Sequence, residues 1–382
     1  MGAPFLTYQP LVTSVRKSAG TRLVFHDGGA NRQGVVTALA DVAAALPDST
    51  GMVLLSIRRT EFLPLLADAP LPSNAVIEVA QAVTAQPPEK TILPQLARRS
   101  IPFCVVIENA QTPTPAWGMS GYVLHSSKSR QQSWPEGKAR RILAPATHDE
   151  ARAHFNNGGF ACAGWPIPAV AAAKPVKGSS EQTILKLMQL IQQDADMVAM
   201  DKVLRQDPSL AYRLLRYINS SAFGLSVEIQ SFQHAVMMLG LQRLQRWLSL
   251  LLMSASKNLE QMPIMRLALH RAMFLEKIGK EIDSDSNMDE LFIVGAFSLL
   301  DRMMGIDFDE ICSSVGLSGA VRDCLTRHGE PYGPLLTLAE LCEGDNNGAA
   351  LEEHAALLGL DAGSVNGALL SALHESQQLE LG

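Results

Sequence analysis

The pattern of apolar residues changes abruptly near residue 165, and this change constrains the fold more than any other feature of the chain. Before it, short apolar or β-branched runs alternate with stretches of helical spacing; after it, nearly every apolar residue recurs at helical spacing. Residues 166–180 concentrate Pro, Ala, Gly and Ser, which is typical of a linker. We therefore predict an α/β domain at residues 1–165, a linker at 166–180 and an all-α domain at 181–382.

The first half carries short runs that favour β-strands, separated by segments with helical spacing such as Val35–Leu46 and Thr91–Arg99. This alternation predicts a parallel sheet, either barrel-like or open, and the short helices predict an incomplete outer layer. The predicted strands are Leu23–Phe25, Met52–Leu55, Ala75–Ile77, Phe103–Ile107, Gly121–Leu124 and Ile142–Ala144.

The second half is predicted to contain many short helices. Asp207-Pro208 is a helix start, because aspartate accepts hydrogen bonds from free backbone N–H groups and proline at the first helical position loses none. The helix that follows would turn Leu210 inward. Further helices are predicted at about residues 231–240, 242–256, 264–282, 288–303, 307–315, 318–328, 334–343, 349–358 and 363–376.

Composition excludes several classes of protein. Apolar residues make up 47% of the 382 residues and charged residues 18%, which is enough apolar material for two domain cores. The densest apolar stretch, Trp247–Met253, is far shorter than the roughly 18 residues that a membrane-spanning helix needs. A net charge of −6 gives no bias toward nucleic acid. The five cysteines form no CxxC pair and are expected to be reduced and buried. Together, these features predict a cytoplasmic protein without a leader and without a membrane or nucleic-acid partner.

Two segments of the second half carry a recognisable signature. The sequence DPSLAYRLLRYINSSAFGL, from Asp207 to Leu225, and the following IQSFQHAVMMLGLQRLQRWL resemble the HDOD domain, an all-helical relative of HD-type phosphohydrolases that generally lacks their metal ligands. The motif residues, interpreted as structural or as an interaction surface, are Asp207, Pro208, Leu210, Asn219, Ser220, Phe223, Leu239 and Gly240.

The first half resembles an EAL-type domain, to which HDOD domains are fused in a known signalling family. YQPL at residues 8–11, TRLVFHD at 21–27, VIEV at 76–79 and GFACAGWPIP at 159–168 resemble its opening, signature, middle and closing strands. The resemblance implies an incomplete α/β domain derived from a TIM barrel, followed by an all-α domain.

The same resemblance implies that the phosphodiesterase site is degenerate. Active EAL domains surround divalent cations with carboxylate, amide and lysine side chains, because hard cations prefer oxygen ligands. Here Arg22 stands at the signature glutamate, and a guanidinium repels a metal ion. Among the positions compared with EAL metal ligands, Glu78 is the one that clearly still carries a carboxylate. We therefore expect no metal, no cofactor and no catalysis. The other altered positions are Ser56, Glu108 with Asn109, and Ala163.

The metal site of HD-type hydrolases is also expected to be absent. The dipeptides His26-Asp27 and His148-Asp149 lie in the first half, outside the helical domain where the family needs such a pair. In the matching helix the His-Asp position falls on Ser298-Leu299, with Asp301 nearby, and the resemblance sets His270 at the family's preceding helical histidine. A lone helical histidine is more often a packed residue than a ligand.

Two further motifs are interpreted as structural. The segment Asp283–Asp289 spaces acidic residues like a calcium loop, but Met288 replaces the required glycine and Val294 the bidentate glutamate. We predict a helix-capping turn there. The glycine-rich Gly28–Gly34 lacks the lysine of a phosphate-binding loop and is predicted to be a turn between a strand and a helix.

These observations favour a non-enzymatic signalling protein that acts through contacts with other signalling proteins. Two alternatives stay open. The EAL-like domain could bind cyclic di-GMP without cleaving it, with Arg22 as a bidentate phosphate donor and Glu78 as a second contact. Alternatively, the HDOD domain could hydrolyse another phosphoester.

Overall fold

The structure is a computed structural model. It describes residues 2–26, 28–46, 51–84, 86, 91–107, 119–125, 140–144, 146–164, 179–193, 195–204, 210, 232–254, 262–282, 287–304, 307–314, 317–345 and 347–378.

The chain divides into two compact units. The barrel unit comprises Met1–Pro168 and Leu338–Gln377, and the helical unit comprises Ala169–Thr337 with Gln378–Gly382. The sequence analysis assigned residues 338–377, here called the C-terminal segment, to the all-α domain because of their helical periodicity. Periodicity identifies a helix but not the core on which it packs, and this segment belongs to the barrel unit.

The described strands of the barrel unit form a closed barrel. β1 is antiparallel to both of its neighbours, β2 and β8, whereas all other neighbouring strands are parallel. Each of the six predicted strands lies within a strand of the barrel. The strands are β1 Phe5–Val12, β2 Ser18–His26, β3 Met52–Ile57, β4 Ala75–Ala80, β5 Phe103–Ile107, β6 Met119–His125, β7 Arg140–Ala144 and β8 Ala161–Ala163.

Of the barrel-like and the open sheet that the sequence left possible, the structure has the barrel, and its ring of strands is complete. Although β8 has only three residues, it pairs with β7 on one side and β1 on the other and so closes the ring. The connecting helices among the described residues are mostly short, as predicted. They are α1 Arg32–Ala45, a 3-10 helix at Thr60–Ala67, α2 Gln81–Thr84, α3 Leu93–Arg98 and α4 His148–Asn156.

Two helix starts of the first half are described, and the first of them confirms the predicted glycine-rich turn. Asn31 caps α1 by accepting a 2.8 Å hydrogen bond from the backbone N–H of Gly34, so the glycine-rich loop is a turn into a helix. Thr147 and Glu150 form a capping box at the start of α4, which places His148 at a helix N-terminus.

An apolar cluster fills the barrel interior. It takes alternate residues from the strands, as the two-residue period of a strand requires. Its members are Leu11, Met52, Leu54, Val76, Cys104, Val123, Ile142, Ala144, Ala161 and Ala163, all buried.

The described part of the helical unit consists of helices close to those predicted, and α8 and α9 form its most buried pair. They approach closely because Gly295 faces the backbone of Ala272, where an added Cβ would lie 2.3 Å from the Ala272 nitrogen. Asn287 caps α9, consistent with the predicted capping turn. The helices are α5 Ser179–Gln192, α6 Met197–Leu204, α7 Phe232–Ser254, α8 Met262–Ile282, α9 Met288–Phe297, α10 Leu300–Met304, α11 Phe308–Ser314, α12 Gly319–Arg327 and α13 Gly333–Leu341, the last of which ends in the C-terminal segment.

The HDOD motif residues are described only in part. Leu210 and Leu239 are buried, and Gly240 interrupts α7 with φ 78° and ψ 164°. The predicted boundary between helices at 231–240 and 242–256 is therefore confirmed. The remaining motif residues, Asp207, Pro208, Asn219, Ser220 and Phe223, lie outside the described residues.

The C-terminal segment supplies two further helices to the barrel unit, α14 Gly348–Leu357 and α15 Ala362–Gln378. Leu351 and Ala355 on α14 and Val365 and Leu369 on α15 are buried. Among the described residues, no single helix has the length and hydropathy to cross a membrane, although α14 and α15, bent by 109°, meet the criterion when taken together.

Gly240 should be intolerant of any side chain for a conformational reason. A Cβ there would meet no atom within 4 Å, but its positive φ is strained for L-residues. We expect Gly240→Ala to lower the free energy of unfolding of the helical unit by about 1–3 kcal/mol in urea titrations. Gly367→Ala, in open space within α15, is the control and should be neutral or stabilising. Equal stability of the two variants would contradict the strained geometry.

Candidate functional site

Four polar side chains interrupt the apolar interior of the barrel. Gln9 on β1, Arg22 on β2, Ser56 on β3 and Glu78 on β4 continue the alternation that places Leu54 and Val76 inside. The strand register sets Gln9 opposite Arg22 and Ser56 opposite Glu78. All four are buried, so β1 to β4 bring one cation, one carboxylate, one amide and one hydroxyl together.

Arg22 is the centre of this polar group. Its Nε and Nη2 donate to the two carboxylate oxygens of Glu78 at 2.5 and 2.9 Å, a bidentate arrangement. Nη1 donates to Oε1 of Gln9 at 2.8 Å, and Nη2 lies 3.5 Å from Oγ of Ser56. The Arg22 side chain is only 1% exposed. A guanidinium without such partners would be very costly at this depth.

A second carboxylate reaches Arg22 from the C-terminal segment. Oδ1 of Asp345 lies 3.2 Å from Nη1 of Arg22 and 2.8 Å from Nη2 of Arg58, the residue after β3. Arg58 also donates to the backbone carbonyl of Asp345. Two guanidinium groups and two carboxylates thus form a charge-balanced network.

Burial disfavours the charged form of Arg22, but the carboxylates of Glu78 and Asp345 outweigh that effect and raise the pKa of Arg22 above its ordinary value. Arg22 is therefore a permanent cation located between two carboxylates. A divalent metal ion would need those same carboxylates as ligands and would meet this positive charge. The residues present do not fit a metal ion at this site.

His26 lies at the carboxyl end of β2 beside the network. Its Nε2 is 2.9 Å from Oγ1 of Thr7. Burial, followed by the charge of Arg58, lowers the pKa of His26 to about 4, with a smaller lowering from Arg22 and an opposing effect from Asp345. The imidazole is therefore neutral at pH 7.

Of the other positions compared with a catalytic site, the one that the structure describes is apolar. Ala163 is a buried apolar residue of β8, and Glu108 and Asn109 lie outside the described residues. Burial raises the pKa of the Cys104 and Cys162 thiols to about 12, so neither is a nucleophile at neutral pH. All five cysteines are buried and free, as predicted.

In the helical unit, the region compared with the metal site of HD-type hydrolases also contains a buried arginine. His270 and Arg271 are buried on α8, and Nη1 of Arg271 donates to Oγ of Ser298 at 3.1 Å. Burial raises the pKa of Asp301, which is near Ser298 in sequence, despite the opposing charges of Arg302 and Arg271. Across the described parts of both units, no three His, Cys, Asp or Glu side chains are grouped so as to hold a metal ion.

Sequence reasoning singled out Arg22 and Glu78 but did not predict their direct contact. It missed Asp345 and Arg58 altogether. Because Asp345 is 323 positions from Arg22 and lies outside any motif, no local pattern connects the two. One general rule could have predicted carboxylate partners for Arg22: an arginine at an inward-facing strand position needs buried negative charge beside it.

Comparison with known proteins identifies part of the chain. Residues 179–303 match the family model of the HDOD domain, which confirms the domain predicted from the signature. The chain is 27% identical over 252 residues to "Cyclic di-GMP phosphodiesterase CdgJ" of Vibrio cholerae serotype O1, covering 64% of this chain and 57% of that protein. It is 28% identical over 163 residues to "Uncharacterized protein YuxH" of Bacillus subtilis, covering 42% of this chain and 40% of the relative.

These alignments span about half the length of the relatives. A solved structure from Shewanella amazonensis SB2B, named "Putative phosphohydrolase", is 16% identical with a TM-score of 0.38, covering 54% of this chain and 95% of the other.

Removing the guanidinium should destabilise the barrel unit strongly. Arg22→Met leaves Glu78 and Asp345 buried with one fewer cation, and we expect a loss of about 3–5 kcal/mol in the free energy of unfolding. The control Lys280→Met removes the cation of an exposed ion pair with Glu276 and should cost no more than about 1 kcal/mol. Urea denaturation measures both, and similar losses would show that the burial of Arg22 is unimportant.

The low pKa of His26 should make stability depend on pH. Unfolded His26 takes up a proton below about pH 6.5, whereas the folded imidazole does so only near pH 4. The contribution of neutral His26 is thus complete above pH 6.5 and is lost as the pH falls toward 4. We expect His26→Gln to flatten the stability profile between pH 6.5 and 4, as measured by urea titrations, relative to the unmodified protein. Parallel profiles for the two proteins would refute the shift.

Proposed function

We propose that this chain is a non-catalytic signalling protein in which a degenerate EAL-like barrel is joined to an HDOD domain and signals pass through protein contacts. The HDOD domain and the similarity to a cyclic di-GMP phosphodiesterase support a link to cyclic di-GMP signalling. The barrel, with its antiparallel first strand and seven further strands, is compatible with an EAL-like origin of the N-terminal part.

One observation carries the non-catalytic assignment: the bidentate pairing of Arg22 with Glu78 inside the barrel. Phosphodiester hydrolysis by this class of site needs metal ions to activate water and to neutralise charge on the phosphate. Here the carboxylate that could hold a metal accepts two hydrogen bonds from a cation. Oδ1 of Asp345 also lies within ion-pair distance of both Arg22 and Arg58.

Binding of cyclic di-GMP without cleavage is the alternative for the barrel. It requires Arg22 or Arg58 to exchange a carboxylate partner for a phosphate, and both arginines already contact Asp345. Hydrolysis by the HDOD domain is the less supported alternative, because the Arg271 guanidinium donates to Ser298. Ser298 stands at the position compared with the metal-binding His-Asp pair of HD-type hydrolases. We therefore favour action through partner signalling proteins.

Incubation of the purified 382-residue chain with cyclic di-GMP and Mg²⁺ or Mn²⁺ tests the assignment. We expect no linear product or GMP above the background of a protein-free reaction, because the buried carboxylates are held by arginines. The Vibrio cholerae relative named a phosphodiesterase provides the positive control. Metal-dependent turnover that is lost in Glu78→Gln would refute the proposal. Calorimetry with cyclic di-GMP at high micromolar concentration tests the binding alternative, which predicts heat without turnover.

A further inference from the structure

The end of the barrel at which the parallel strands begin carries a group of cations. The turn between β1 and β2 contains Arg16 and Lys17, and β7 begins with Arg140 and Arg141. β8 lies between β7 and β1, so the four residues come from one part of the barrel's edge. Together with Val15 of the same turn, they are here called the basic rim.

The charge of the basic rim is not balanced by carboxylates within the described part of the chain. The described residues at this end of β7, β8, β1 and β2 include no aspartate or glutamate; they are residues 12–18, 140–141 and 156–161. The Arg140 guanidinium stacks on the Phe160 ring, 4.9 Å from its centroid. Nη1 of Arg141 donates to the backbone carbonyl of Asn157 at 3.3 Å. In a chain with a net charge of −6, the rim is therefore a local positive surface.

The rim presents its groups to solvent in a fixed arrangement. Lys17 and Arg140 are exposed, and the apolar side chain of Val15 is 61% exposed. The turn is closed by a 2.9 Å hydrogen bond from the backbone N–H of Thr13 to the carbonyl of Lys17. Arg16 is buried and has a φ of 60°, a backbone conformation that is held only where the surrounding structure enforces it. The turn thus fixes the positions of Val15 and Lys17.

The composition of the rim favours an acidic protein segment over nucleic acid. Guanidinium groups pair with both carboxylates and phosphates. Proteins that bind nucleic acid make about 6–10 phosphate contacts, however, and the rim has four cations, of which Arg16 is buried. Exposed Val15 beside the cations suits a partner that offers apolar side chains together with its charges.

We propose that the basic rim binds an acidic segment of a partner protein. Carboxylates of the segment pair with Lys17, Arg140 and Arg141, and an apolar side chain packs on Val15. This inference goes beyond the proposed function, because it concerns the end of the barrel away from Glu78 and holds whether or not the barrel has lost catalysis.

Fluorescence anisotropy of the purified 382-residue chain tests the proposal. The probe is a fluorescein-labelled peptide of about 15 residues, made of glutamate with a leucine at about every fourth position. We expect binding that weakens as the salt concentration rises from about 50 to about 500 mM. The double variant Lys17→Gln with Arg140→Gln should lower the affinity at least about tenfold, because two exposed charge contacts are lost. If the unmodified chain does not bind the peptide, the proposal is wrong.

The matched control is Arg32→Gln, which also removes an exposed cation from the barrel unit. Arg32 is the first residue of α1, which follows β2, so it lies at the opposite end of the barrel. Its affinity for the peptide should stay within about twofold of the unmodified chain. Should Arg32→Gln weaken binding as much as the double variant, the peptide is held by general charge attraction and the rim is not a site.

Val15→Ser tests the apolar part of the proposed contact. The peptide with leucines should bind the unmodified chain at least about threefold more tightly than a peptide of glutamate alone, because an apolar contact is added. In Val15→Ser this preference should disappear while binding of the all-glutamate peptide is unchanged. The same preference in both proteins would contradict the role of Val15.

The same assay separates the acidic segment from other occupants. A single-stranded DNA of about 15 nucleotides and vesicles of phosphatidylglycerol should bind more weakly than the peptide with leucines. Tighter binding of either one overturns the proposal. Light scattering of the unmodified chain and the double variant at low salt should give the same mass, since a mass lowered by the substitutions would mean that the rim binds a second copy instead.

Discussion

A buried guanidinium must be matched by acceptors and negative charge, and in the barrel unit this requirement ties distant parts of the chain together. Arg22 draws Gln9 from β1, Glu78 from β4 and Asp345 from the C-terminal segment. Such a network adds little net stability, because desolvation offsets the attraction between its charges. Its effect is on specificity, since an arrangement that omits either carboxylate leaves two guanidinium groups to share the other one.

The two units share a chemical feature despite their different folds. In the barrel, an arginine lies between carboxylates; in the helical unit, Arg271 donates to Ser298, at the position compared with a metal-binding pair. A fixed guanidinium can take over the electrostatic role of a divalent cation toward surrounding oxygen atoms, but it cannot activate water as a metal does. Under the proposed non-catalytic function, these arginines supply the positive charge around which each polar interior is arranged.

The sequence predicts those parts of the fold that depend on local pattern. Strand runs such as Phe103–Ile107, the helix break at Gly240 and the cap at Asn287 follow from residue type and spacing within a few positions. The closure of the sheet depends on β8, whose three residues are too few to show the two-residue alternation that identifies a strand in a sequence. The pairing of Arg22 with Asp345 depends on tertiary contact alone, so the site was predicted only through the chemical type of Arg22 and Glu78.

The order of the units along the chain gives the C-terminal segment a particular importance. The chain leaves the barrel unit after Pro168 and returns to it at Leu338, so the helical unit is an insertion within the sequence of the barrel unit. The HDOD match at residues 179–303 lies wholly inside this insertion. A division of the chain just after the matched region would separate Arg22 and Arg58 from Asp345 and leave two guanidinium groups facing the single carboxylate of Glu78. Charge balance therefore makes the barrel depend on residues that follow the helical unit, and any event that shifts those residues also alters the environment of Arg22.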